Sequence, residues 1–263
     1  MLLAILRATL FLPWCLALPV PPTTDLKGWE FVKDYFHRFF VTKKESPLLT
    51  QGEQLRFLQQ FFRLNVTGLL DKQTLAVLRQ PRCGVPDVAS YSVSPESLKW
   101  NEQILTYRII NYPYGLKRST VKSIMRAAVS IWSSVTPLVF EEVENQDANI
   151  KMSFWPWDHG DGLPFDGPGG VLGHAFLPYS TRPGVVHFDK DEYWSSSYKG
   201  INLFLVATHE LGHALGLYHS GNPNSIMYPA YEYQDPLTFH LGLEDIQRIQ
   251  DLYGRKTWLS DIC

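Results

Sequence analysis

The hydrophobic positions of the chain change their period along its length, and each change marks a segment. The N-terminus, Met1 to Arg7 and then Ala8 to Ala17, is mostly apolar but too short to cross a bilayer. Cys15-Leu-Ala17 has the small residues of a cleavage site, and Pro19, Pro21 and Pro22 follow, so residues 1–17 read as a secretory signal peptide. A helical period comes next. Asp25 caps an expected helix from Leu26 to Phe40 whose stripe is Trp29, Phe31, Val32, Tyr35, Phe36 and Phe39. A second helix runs from about Thr50 to Phe62 on Leu55, Leu58, Phe61 and Phe62, and a third, capped by Asp71, ends near Gln80. Three short amphipathic helices predict a small bundle. Pro81-Arg-Cys-Gly-Val-Pro-Asp87 then breaks the period, because two prolines and a glycine disfavour helix and favour a stiff extended loop.

After Ala89 the pattern becomes mixed. Ile104–Ile110, Leu138–Val143, Asn149–Trp155, Leu172–Phe176 and Val185–Asp189 read as strands. Helices are expected at Ser119–Ser134, with Ile124, Ala127, Ala128, Ile131 and Trp132 on one side, at Leu203–Gly216 and at Leu243–Tyr253. This order predicts an α+β domain with one mixed sheet.

Composition narrows the class. The chain has 263 residues, is 45% hydrophobic and 19% charged, and so can bury a sizeable core, with a length that suggests two domains. A net charge of −2 with no basic cluster gives no case for nucleic acid or an anionic membrane, and no apolar run after the N-terminus is long enough for a membrane span. Of three cysteines, Cys15 leaves with the signal, and Cys83 and Cys263 are too few for a disulfide scaffold. They either pair or have separate explanations. Asn65-Val-Thr67 is a glycosylation sequon, usable in a secreted chain.

Candidate chemistry centres on Ala207-Thr-His-Glu-Leu-Gly-His-Ala-Leu-Gly-Leu-Tyr-His219. His209 and His213, four apart on a helix, put two imidazoles on one face where they can share a Zn²⁺ ion. Glu210 stands beside them where a general base belongs, Gly216 lets the chain leave the helix, and His219 can return as a third ligand. In such a chain the Cys83 thiolate is a natural fourth ligand. His159, Asp161, His174 and His187 offer three imidazoles and a carboxylate, a closed tetrahedral zinc shell of structural type. Asp166-Gly-Pro-Gly-Gly170, with Asp189 and Glu192, offers hard oxygen ligands for Ca²⁺.

Together these residues resemble the matrix metalloproteinase family of the metzincins, in its short, matrilysin type without a hemopexin-like domain. The resemblance implies a catalytic domain at 91–263 with a mixed, mostly parallel twisted sheet and three helices, after a three-helix propeptide at 18–90. Pro81–Asp87 is similar to the family's cysteine switch, with Cys83 blocking the zinc and Arg82 paired with Asp87. His209, His213 and His219 match the catalytic zinc ligands, Glu210 the base, and Met227 in Ser225–Pro229 the Met-turn beneath the metal. His159, Asp161, His174 and His187 match the structural zinc site. Asp166, Asp189 and Glu192, with the carbonyls of Gly167, Gly169 and Val171, match a calcium site. Acids expected at a second calcium site are replaced by Asn149 and Val185.

The implied activity is that of a secreted zinc endopeptidase, made as a latent zymogen, that cuts extracellular matrix proteins, including collagen. Peptides would pair with the strand at Leu172–Phe176, and Leu205, Ala175, Pro229 and Tyr231 would shape the pocket for the residue after the scissile bond. Tissue inhibitors of metalloproteinases are the expected protein partners, and the expected state is a monomer. No furin-type basic run follows Cys83, and the mature chain is expected to begin near Tyr91, its ammonium paired with Glu244 or Asp245. A secreted metal-stabilised binding protein is the alternative, but it has no use for Glu210. A zinc peptidase with a downstream Glu ligand leaves His219 and Met227 unexplained.

Overall fold

The three N-terminal helices form where their stripes place them, the second and third behind side-chain caps. A computed structural model describes residues 26–40, 49–87, 99–144 and 146–256. The signal peptide, Cys15, the Asp25 cap, Tyr91 and Cys263 lie outside the described residues. Helix α1 spans Leu26–Phe39, α2 Gln51–Phe61 and α3 Lys72–Leu78. α2 begins at a reciprocal cap: Thr50 Oγ1 accepts from the Glu53 amide while Glu53 Oε2 accepts from the Thr50 amide at 2.8 Å. Asp71 caps α3 by accepting from the Thr74 amide at 2.7 Å. Buried Gln59 ties the two helices together, donating to Thr67 Oγ1, Leu69 O and Thr74 Oγ1 and accepting from the Gly68 amide. Asn65 is exposed on the connecting loop.

These helices are not a self-contained bundle. Their core of Val32, Tyr35, Phe36, Phe39, Phe40, Leu55, Leu58, Phe62 and Leu78 also takes in Phe165 and Val171, with Tyr228 packed against it. The stripe of α1 is therefore covered partly by α2 and partly by residues more than a hundred positions downstream.

The main sheet has the order β1-β5-β6-β4-β2-β3. Its strands are β1 (Arg82–Cys83), β2 (Ile104–Ile109), β3 (Val139–Glu142), β4 (Ile150–Trp155), β5 (Val171–Ala175) and β6 (Val185–Asp189). All neighbours are parallel except β5 and β6. Residues 82 and 83, expected to be loop, form the edge strand: the Arg82 amide donates to Gly170 O at 2.9 Å and the Gly84 amide to Gly173 O at 2.7 Å. Helices α4 (Arg118–Val135), α5 (Leu203–Ala214) and α6 (Leu243–Tyr253) complete this region, with a small parallel ladder, β7 (Trp194–Ser195) and β8 (Ile201–Asn202), leading into α5. Asn202 Oδ1 caps α5 by accepting from the Phe204 amide. Trp132 of α4, fully buried, donates Nε1–H to Thr208 O at 2.9 Å and locks α4 on α5. Every residue of α5 is buried, so its polar side chains must find partners inside the protein. Among the described residues no helix is long and apolar enough to cross a membrane.

Candidate active site and metal centres

The buried helix α5 carries His209 and His213 one turn apart, and their partners orient them. His209 Nδ1 lies 2.6 Å from Ile226 O, and His213 Nδ1 2.7 Å from Leu217 O. A carbonyl oxygen only accepts, so each Nδ1 carries the proton and each Nε2 presents a lone pair. Gly216 takes φ = 106°, a conformation a side chain would resist, and turns the chain so that His219 comes back. His219 Nε2 is then 3.2 Å from His209 Nε2, and Cys83 Sγ is 3.5 Å from His213 Nε2. The four ligand atoms all lie within 4.8 Å of one another. Burial holds His209 down to about 4 and holds His213 and His219 well below the ordinary histidine value. The imidazoles are thus neutral, the form that binds metal. Three neutral imidazoles and a sulfur around one point fit a tetrahedral zinc ion.

Glu210 completes this centre. It is fully buried, and neither carboxylate oxygen has a hydrogen-bond partner among the described residues. Burial pushes its carboxyl up to about 8. A buried carboxylate left this way is costly unless a cation or a moving proton uses it.

Cys83 is brought in by backbone pairing on both sides of β1. On one side is β5; on the other, the Cys83 amide donates to Pro229 O at 2.9 Å and the Tyr231 amide to Pro81 O at 2.7 Å. Arg82 and Asp87 brace the loop as a bidentate pair, Nη2 to Oδ1 at 2.6 Å and Nη1 to Oδ2 at 3.0 Å. The Arg82 guanidinium also lies 3.6 Å from the Phe39 ring centroid and donates to the Tyr35 hydroxyl. Asp87 Oδ1 is 2.7 Å from His219 Nδ1, a contact that sequence reasoning did not anticipate. The Cys83 thiol points inward and is pushed well up, by burial first and then by the charge of Glu210.

The second histidine group also converges. His159 Nε2, His174 Nε2 and His187 Nδ1 lie 2.9, 2.8 and 2.8 Å from Asp161 Oδ2. Burial alone would raise the Asp161 carboxyl, but hydrogen bonds from His174, the Leu163 amide and His187 hold it well below the carboxylate range. These ligand atoms also fall within 4.8 Å of one another, a shell with the donor set of a structural zinc site.

The calcium candidates are less closely gathered. Glu192 Oε1 accepts from the Gly169 amide at 2.6 Å, and Asp166 Oδ1 from the Val171 amide at 2.7 Å. The fully buried Asp189 leaves Oδ2 without a partner, and burial raises both Asp189 and Glu192. That orphaned oxygen fits a cation in the turn with Gly167. Asp166 Oδ2 is instead 3.1 Å from Arg38 of α1. Asn149 is committed elsewhere, its Oδ1 accepting from the amide and hydroxyl of Thr106.

The matrixin family profile matches residues 99–254. The chain belongs to the matrix metalloproteinases. It is 66% identical to matrix metalloproteinase-26 (matrilysin-2) of Homo sapiens over 97% of this chain and 98% of that one. It is 43% identical to matrilysin of Homo sapiens over 98% of each. Macrophage metalloelastase of Rattus norvegicus is 48% identical over 86% of this chain and 50% of its own length. The expected α+β metzincin fold and the matrilysin-type relationship are both borne out, and the chain is a zinc metalloendopeptidase.

In this metalloproteinase a cleft beside His209 and Glu210 is lined by Leu172, Leu205, Val206, Ile226, Pro229 and Tyr231. Ala175, expected there too, is buried opposite Val186 in the sheet and is not among the lining residues. The Tyr231 hydroxyl accepts from the Asn202 amide at 3.0 Å, fixing the cleft wall to the start of α5. Met227 is fully buried, and its turn is tied to α6: Asp245 accepts from Ser225 Oγ and, at 3.0 Å, from the Ile226 amide. Asp245 is therefore engaged with the Met-turn, whereas Glu244 accepts from Ser220 Oγ and Asn222 Nδ2.

Proposed function

We propose that this metalloproteinase is a secreted endopeptidase made as a latent zymogen, with residues 1–17 as signal peptide, 18–90 as propeptide and 91–263 as catalytic domain. The observation that carries the reading is the convergence of Cys83, His209, His213 and His219 beside the partnerless Glu210. His209, His213 and His219 would hold a zinc ion, which would supply Lewis acidity toward a carbonyl and a water molecule. Glu210 is the proton carrier: when ionised, as a nearby zinc cation would favour, its oxygens accept a proton from the attacking water and return it to the leaving amine. His209 and His213 are held in register by Ile226 O and Leu217 O, so the base and the ligands share one rigid helix. Cys83 would take the fourth position of that ion and exclude water from it. An extended peptide takes the edge of β5 by strand addition, and Leu205, Pro229 and Tyr231 favour an aliphatic side chain after the scissile bond.

His159, Asp161, His174 and His187 hold a structural zinc ion in this reading, and Asp166, Asp189 and Glu192 with the loop carbonyls of Gly167, Gly169 and Val171 hold a calcium ion. Matrix proteins are the substrate class suggested by the names of the relatives. Tissue inhibitors of metalloproteinases would compete for the same cleft, and the working unit is a monomer. A binding protein without turnover is disfavoured, since a buried partnerless Glu210 serves no packing purpose.

The test compares the full chain with Glu210→Ala before and after proteolytic removal of the propeptide. About two zinc ions per chain are expected in both. Peptide hydrolysis should arise only on cleavage and only with Glu210 present. Activity surviving the substitution, a single zinc ion, or full activity of the uncleaved chain would contradict the assignment.

A further inference from the structure

Helix α2 ends in a conformation that local physics does not favour for its sequence. Arg63 takes φ = 53°, with its amide donating to Gln60 O at 3.2 Å and the Leu64 amide to Gln59 O at 2.8 Å. This left-handed helix stop suits glycine, and a Cβ there is strained. The arginine side chain has a use: its Nη2 reaches to 3.7 Å from Glu244 Oε2 on α6. The same turn presses on the catalytic region at two further points. A Cβ built on Gly221 would stand 1.9 Å from Phe61 O and 3.1 Å from the Phe61 carbonyl carbon. Gly221 does not itself adopt a positive φ, so its own backbone tolerates alanine and only Phe61 forbids a side chain. Phe62, 2% exposed, meets Tyr228 edge-on with ring centroids 5.7 Å apart. Glu244 also accepts from Ser220 and Asn222, which fixes the loop that presents Gly221.

We propose that Phe61–Arg63, seated on Gly221, Tyr228 and Glu244, form a second latch that holds the propeptide on the catalytic domain independently of Cys83. The proposal rests on the zymogen reading above. It adds that losing the Cys83 contact does not by itself release the propeptide. Strain at residue 63 is retained because glycine, the relaxed choice, cannot reach Glu244.

The experiment uses the full chain with Glu210→Ala, which prevents self-cleavage. Alkylation of Cys83 by iodoacetamide is followed by peptide mass spectrometry, so that other cysteines do not contribute. Gly221→Ala should speed Cys83 alkylation about tenfold, because a side chain cannot overlap a backbone carbonyl without displacing it. Arg63→Gly should speed it roughly twofold to fivefold, as for an exposed ion pair. A merely structural role for Arg63 predicts the opposite, since glycine relaxes the turn. Cys83→Ser alone should leave α2 protected from trypsin, and adding Gly221→Ala should remove that protection.

Alkylation at the unsubstituted rate in both Gly221→Ala and Arg63→Gly, or an α2 already unprotected in Cys83→Ser, overturns the latch. Rapid Cys83 alkylation in the Glu210→Ala parent chain would instead overturn the zymogen reading, a distinct result. If Gly221→Ala lowers zinc content, Arg63→Gly decides, because it alters an exposed side chain and no ligand.

Discussion

Asp87→Ala isolates what the buried ion pair contributes to holding the switch loop. The Arg82 and Asp87 side chains are 5% and 0% exposed, so solvent does not screen them. Removing the carboxylate leaves the guanidinium buried with, among the described residues, Cys83 O, the Tyr35 hydroxyl and the faces of Phe39 and Tyr35 as partners. Removing one member of such a pair costs about 3–5 kcal/mol. Ring-face contacts return up to about 2 kcal/mol, and they are present with or without Asp87, so they do not reduce the difference. At about 1.4 kcal/mol per factor of ten, the loop should open roughly 10²- to 10⁴-fold more often. The assay is the alkylation rate of Cys83 in the uncleaved chain, with peptide hydrolysis followed in parallel. Arg82→Met with Asp87→Leu provides the internal control, because replacing both charges by apolar groups removes the unpaired charge and should restore most of the protection. Protection unchanged in Asp87→Ala would refute the reasoning. A double variant as open as the single one would move the cost to the lost Asp87–His219 contact.

Other expectations concern the remaining centres. Asp161→Ala removes the oxygen shared by three imidazoles and should lower zinc content by about one ion per chain while leaving the His209 site loaded, as read by metal analysis and a lower melting temperature. Leu205→Phe should narrow the cleft and reduce kcat/KM for peptides with leucine after the scissile bond by roughly 10- to 100-fold relative to alanine, as read from a peptide library. The Glu53 carboxyl lies below its ordinary value, first because the Thr50 hydroxyl donates to it and then because the Thr50 amide does. A depressed folded value means stability that is present above the ordinary carboxylate range and lost as pH falls. Glu53→Gln should therefore lower the melting temperature near neutral pH, and the difference should shrink and then vanish as pH falls below the ordinary carboxylate range.

What was legible in the sequence was what local periodicity and spacing encode. α2 lies between Thr50 and Phe62 because a reciprocal cap and a four-residue stripe mark it. His209, His213 and His219 were legible because helix geometry converts their spacing into one coordination point. Contacts set by distant pairing were not legible. Residues 82 and 83 become a strand only because Gly170 and Gly173 on one side and Pro229 on the other offer carbonyls, and nothing within Pro81–Asp87 announces those partners. The stripe of α1 shows which face is apolar but not that Phe165 and Val171 cover part of it. Glu244 and Asp245 are adjacent acids on one helix, separated by about 100° around its axis. Only the packed structure shows that Asp245 serves the Met-turn while Glu244 faces Arg63.

The position of β1 bears on how latency works. β5 without β1 would be an exposed strand edge, with free backbone groups that invite pairing. In the proposed reading a substrate needs that edge and the propeptide already uses it, through Gly170 O just before β5, Gly173 O on β5, and Pro229 O and the Tyr231 amide across the cleft. In the proposed zymogen the block would therefore be made by backbone as well as by sulfur. In that reading, displacing Cys83 would free one coordination position but leave the cleft filled along Pro81–Gly84, with Arg82 still anchored to Asp87. Activation of the proposed zymogen would then require the strand to leave β5, which local chemistry at the thiol does not accomplish. Proteolysis upstream of the catalytic domain removes the covalent tether that makes re-pairing intramolecular, and so converts a favoured local closure into a dilute encounter that a substrate can win.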